Sequence, residues 1–176
     1  FLGYVGEWRT LIPSELLTGQ ACERVGHEWS VMIKLDDFVP LTAGNCAQFG
    51  ADTRLVSGLD QVMASPAGLL EGQRLALVDV VNSATWILIV ILLEIEVRVL
   101  ARWGGASRPV GRVANGLKVV SYSTLVVAAV YWGFKGDFLD FWDAALWLFA
   151  FVFIELNVFE WQQELRDQSA QARGVS

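Results

Sequence analysis

The feature that most limits what this chain can fold into is Trp86-Ile-Leu-Ile-Val-Ile-Leu-Leu93, eight consecutive apolar residues. It closes a window, Leu75–Leu93, whose 19 residues would span about 28 Å as a helix, near the ~30 Å hydrocarbon core of a bilayer. A buried helix of a soluble protein has the same composition. Two further apolar windows decide between the readings, one from Leu117 or Val119 to Phe134 and one from Phe138 to Phe159. Together the three fill most of the last hundred residues, so the sequence predicts spans at about 75–97, 117–134 and 138–160.

Composition points the same way. Hydrophobic residues make up 54% and charged residues 18%, with a mean hydropathy of +0.43; ordinary soluble domains lie near ~45–50% and ~25%. A net charge of −6 excludes the basic footprint of a nucleic-acid-binding protein. One histidine and two cysteines leave few ligands for a metal, haem or chlorophyll, and no histidine falls in a predicted span. The sequence therefore predicts no metal and no cofactor. His27-Glu28 lacks the second histidine of a zinc-protease helix and reads as a surface or packed pair. Neither a glycine-rich phosphate loop nor a Gly-x-Ser-x-Gly elbow occurs.

The connectors set an expected orientation. From Arg98 to Lys118 there are five positive residues (Arg98, Arg102, Arg108, Arg112, Lys118) and no acidic one, the signature of a cytoplasmic loop. Gly133-Phe-Lys-Gly-Asp137 is a tight turn without positive excess and belongs outside. Residues 1–74, with nine acidic and five basic side chains, are also placed outside, and the tail 161–176 inside. An outer segment of this length ahead of an inward-running span must itself be translocated. A signal peptide or, preferably, a fourth span ending near Phe1–Val5 is therefore expected upstream.

In that outer segment Cys22 and Cys46 predict a disulfide, since the compartment is oxidising and the spacing is not that of a redox pair. Closing a loop of about 25 residues contributes on the order of 3 kcal/mol. Val31 to Val39 alternates as a short strand ending at Pro40. Arg54 to Met63 places Leu55, Leu59, Val62 and Met63 on one face of an expected amphipathic helix. Ser65-Pro66-Ala-Gly68 is expected to break the chain before the first span.

Ionisable groups at membrane depth carry the most functional information. Asp79, Asn82, Ser83 and Trp86 share one face of span one, and Asp140 and Asp143 share one of span three. Both sets lie at outer-headgroup depth, with Lys135 nearby. At the inner end, Glu94 and Arg98 have the spacing of a helical ion pair, and Glu96 points elsewhere. Glu155, about 22 Å below Asp140, is expected to meet Arg98, with Asn157 beside it. A structural ion pair fixing helix register is the preferred role; ion or proton conduction is the alternative. Thr124 and Ala128 suit close packing of span two. Trp142 and Trp161 suit the interfacial belts of span three.

The expectation is thus an all-α integral membrane protein: three spans, four in the full-length chain, and a small disulfide-bearing outer segment. Its setting would be a cell membrane, in particular a bacterial inner membrane. Its function would be that of a non-catalytic multi-pass subunit, its partners being the lipid bilayer and other membrane subunits or further copies of itself. An oligomeric channel using Asp79, Glu94 or Glu155 is the second reading. A membrane enzyme would need a carboxylate site such as Asp79 with Asp140 and Asp143.

Overall fold

The computed structural model describes residues 1–103, 108–135 and 138–174, with side chains described except in 100–110, 158–159, 162, 165–167 and 169–174. Part of the arginine-bearing connector (104–107) and of the glycine-flanked turn (136–137) thus lies outside the described residues, as do the side chains of Arg102 and Arg108. The chain forms two compact units, Phe1–Ile87 and Leu88–Ser176.

The first unit corrects the all-α expectation, because it contains a five-stranded mixed sheet. Helix α1 (Leu2–Leu11) is followed by β1 (Ser14–Leu16), β2 (Ser30–Lys34), β3 (Asp37–Pro40), β4 (Arg54–Val56) and β5 (Val62–Ala64). The strand order is β1-β4-β5-β2-β3, with β2 and β5 parallel and every other pair antiparallel. The expected strand at 31–39 is a hairpin, turning at Leu35-Asp36 so that Val31 faces Val39 and Met32 faces Phe38. The expected amphipathic helix at 54–63 is also two strands, which pair Leu55 with Met63. The helical spacing of its apolar residues is overridden by cross-strand pairing, which sets Met63 in the core.

Successive strand residues point to opposite faces, so the sheet has a core on each side. On one, Val31 and Met63 pack with Leu17, Ala21, Leu41 and Cys46. The Cys22–Cys46 disulfide, Cα atoms 4.9 Å apart, ties together the two short 3-10 turns that complete this core. On the other, Met32 meets the end of α1 and the start of α2. A Cβ on Gly72 would lie 3.2 Å from its methyl carbon. Gln73 Nε2 donates to the Leu11 carbonyl at 2.8 Å, capping α1. Where α1 passes the β4–β5 turn only glycine fits, since a Cβ at Gly58 would fall 2.3 Å from the Thr10 carbonyl oxygen.

Helix α2 (Pro66–Trp103) begins where a chain break was expected. Ser65 Oγ accepts from the Gly68 amide at 3.1 Å, and Pro66 occupies the first helical position, where no amide donor is needed. The helices α3 (Arg108–Lys135) and α4 (Phe138–Gly174) follow. Among the described residues two helical segments are long and apolar enough to cross a membrane, Pro66–Val99 and Gly111–Lys135. The third expected span, 138–160 in α4, takes in side chains outside the described residues at 158–159; its described part carries Asp140, Asp143 and Glu155. α4 also continues unbroken past residue 160, where a tail was expected to begin.

Candidate functional site: a charge cluster joining three helices

The buried side chains of α3 follow a helical stripe: Lys118, Ser121, Leu125, Ala128, Ala129 and Trp132. In α4 the less exposed positions Phe141, Ala144, Leu148, Phe151 and Glu155 fall in the same rhythm, and in α2 Ile89, Leu92, Leu93 and Glu96 do so. Each stripe carries a single ionisable residue near the end of the run, and these three residues meet.

Lys118 Nζ donates to Glu155 Oε1 at 2.7 Å and also to Glu96 Oε2. Its side chain is only 8% exposed, against 27% for Glu96 and 34% for Glu155. One ammonium thus bridges carboxylates on two other helices, a charge-assisted arrangement. Tyr122 lies one turn beyond Lys118. Its hydroxyl and Glu155 Oε2 are both buried without a hydrogen-bond partner. Between α3 and α4 the two residues also line an apolar groove of about 410 Å³, walled by Val126, Ala145, Leu148, Phe149, Val152 and Leu156. Near the start of α4, Gly133 permits close approach, since a Cβ there would already touch the Phe141 ring at 3.4 Å.

The predicted polar residues divide. Glu94 and Arg98 form the expected pair at 2.5 Å, yet their side chains are 58% and 76% exposed. Glu155 pairs with Lys118, not with Arg98. Glu96, read as pointing elsewhere, belongs to the cluster. Asn157 donates to the Phe153 carbonyl of its own helix. Asp140 and Asp143 are exposed, and Asn82 Oδ1 is buried without a partner. Asp79 is half-buried. Among the described residues no group of three or more His, Cys, Asp or Glu side chains is placed to hold a metal ion. Sequence reasoning missed Lys118, counting it as a connector charge. The signal was its register, three and seven residues before Ser121 and Leu125.

Compared with protein-family models, curated proteins and solved structures, the chain matches none.

Proposed function

We propose that this chain is a non-catalytic subunit of a membrane assembly, anchored in a bacterial inner membrane through α2 and α3. In this reading residues 1–74 lie outside and the 98–118 connector lies in the cytoplasm. The observation that carries the proposal is the inverted polarity of the second unit. Val120, Val127, Phe149 and Phe153 are each more than 60% exposed, while Lys118 is buried. Water makes that distribution costly, because large apolar patches on soluble monomers are rare. In hydrocarbon it is the expected one, with charged groups paired toward the bundle interior and apolar side chains toward lipid or a neighbouring helix. The exposed apolar faces supply contact area for partner helices, and the disulfide-closed sheet unit supplies a rigid outer surface.

The test is fractionation followed by mild-detergent purification of the expressed chain. It should stay with the membrane after alkaline carbonate washing and bring defined membrane proteins with it. Recovery as a monodisperse species without detergent would defeat the proposal. Ion conduction is the second reading, favoured by two carboxylates in an apolar bundle. Purified chain in liposomes decides it: flux abolished by Glu155→Gln, with assembly intact, would replace the structural reading.

A further inference from the structure

Helix α1 has a packed side and a free one. At about 100° per residue, Glu7, Thr10 and Leu11 fall within one arc, and Phe1, Leu2, Val5, Arg9 and Ile12 within the opposite arc. The first arc is occupied by the rest of the unit. Leu11 is buried at the start of α2, its carbonyl accepting from Gln73 Nε2. Thr10 lies against Gly58 of the β4–β5 turn, and Glu7 is half-buried beside the negative charge of Asp36 in the β2–β3 turn. In the opposite arc Phe1, Leu2 and Ile12 are 47%, 82% and 49% exposed, and Arg9 is exposed among them. Gly3 shares the first arc, but a Cβ there would meet nothing within 4 Å, so the sheet does not reach the first turn of α1.

We propose that the free arc of α1 is a lipid contact, in which Phe1, Leu2, Val5 and Ile12 lie in the headgroup–acyl boundary of the leaflet that α2 enters and Arg9 extends to its phosphates. Position selects lipid as the occupant. The Leu11–Gln73 bond of 2.8 Å holds the end of α1 beside α2 two residues ahead of the apolar window at Leu75, where the span meets the headgroups. At that level α2 carries an exposed stripe of its own, Leu70, Leu77 and Val81, spaced i, i+7 and i+11, which the same lipid covers. Composition agrees with position. Phe1 to Gly6 holds no charged side chain, and Tyr4 and Trp8 on the flank are the residue types of an interfacial belt. An arginine set among apolar side chains suits this boundary, because its stem packs with acyl chains while its guanidinium bonds phosphate. The contact rests on the membrane placement proposed above and adds a second point of attachment, with the sheet itself left in water.

The test attaches a nitroxide to single added cysteines in the full chain, held in lipid nanodiscs. Electron paramagnetic resonance then reads its collisions with oxygen, which concentrates in hydrocarbon, and with a water-soluble nickel chelate. The Cys22–Cys46 disulfide leaves no competing thiol. Leu2→Cys reports the free arc, Gly3→Cys the opposite arc of the same turn, Asp52→Cys an exposed site in the sheet unit and Val127→Cys the exposed apolar face of α3. The two collision rates should place the Leu2 label about 5–10 Å into the headgroup–acyl boundary. Nickel collisions there should be severalfold fewer than at Asp52, and the ratio of oxygen to nickel collisions severalfold higher than at Gly3. Nickel access at Leu2 equal to that at Asp52 would overturn the proposal, as would equal ratios at Leu2 and Gly3. Protection from both agents would overturn it too, since protein would then cover the face. Should Leu2→Cys fail to fold, Ile12→Cys repeats the measurement at the other end of the arc. Lipid depth at Val127 but not at Leu2 would defeat this contact alone; lipid depth at neither would defeat the membrane placement as well.

Discussion

Residues 1–87 and residues 88–176 arrange polarity in opposite ways. In the first unit Val31 and Met63 are fully buried, and a covalent bond at Cys22–Cys46 reinforces a small sheet. In the second, large apolar side chains such as Val127 and Phe149 are exposed, and the most buried charge is Lys118 between Glu96 and Glu155. In the proposed reading water surrounds the sheet of the first unit, so hydrophobic burial stabilises it. Burial offers little to helices whose surroundings are as apolar as they are, so packing, small residues and polar links hold such helices together. In the proposed membrane reading, what differs is the medium each surface fits.

That contrast is broken most severely at Lys118. Lys118→Met leaves two carboxylates facing each other between helices. Removing one partner of a buried charge pair costs roughly 3–5 kcal/mol, and the partial exposure of Glu96 and Glu155 places the effect near the lower end, about 3 kcal/mol. Thermal unfolding in detergent should fall accordingly. Most of the loss should return in the triple variant Lys118→Met, Glu96→Gln, Glu155→Gln, which removes the stranded charges. Glu94→Gln is the matched control, since its pair with Arg98 is exposed and worth no more than about 0.5 kcal/mol. Equal effects at Lys118 and Glu94 would show that the cluster is an ordinary surface network.

The second prediction addresses the other side of the comparison. Cys22→Ser with Cys46→Ser opens a loop closed at a sequence separation of 24 and should cost the first unit about 3 kcal/mol. Limited proteolysis should then cut between Ala21 and Phe49, and a reducing agent should reproduce the effect in the unaltered chain. Protection of α3 should not change. Loss of α3 protection on reduction would mean that the two units unfold as one.

How much of this was legible in the sequence follows the same division. The disulfide was, because two cysteines in a segment expected to lie outside the membrane leave one pairing. The apolar stretches in α2 and α3 were, because length and composition suffice. The sheet was not. Leu55, Leu59, Val62 and Met63 match a helical period, and only the register that sets Leu55 against Met63 shows two strands, with Leu59 in the connection between them. The β2–β3 turn carries no glycine or asparagine, so the hairpin reads as one continuous strand. Of the site, Glu155 was singled out but given Arg98 as its partner, where the structure gives Lys118. Positive residues between spans are ordinarily read as topology, and that rule hid the one lysine whose helical register turns it inward.

The smallest expected effect lies in the first unit and concerns pH. Burial, reinforced by the nearby negative charge of Asp36, raises the Glu7 carboxyl above its ordinary value of 4.5. A carboxyl that holds its proton more tightly folded than unfolded makes stability fall as pH rises from the unfolded value through the raised folded one, after which the penalty is constant. Glu7 therefore opposes folding at neutral pH, the reverse of an ion-paired acid. Glu7→Gln should flatten that acid-range slope and slightly raise stability at neutral pH. Hydrogen exchange at two amides of this region supplies the readout, Leu17 bonded to the Thr53 carbonyl and Ser57 bonded to that of Pro13. Their protection, corrected for intrinsic rates, should gain at neutral pH and stay unchanged below the unfolded value. A loss at neutral pH would mean that Glu7 stabilises the sheet unit as an anion, and would weaken the contrast between a conventionally packed first unit and a charge-linked second.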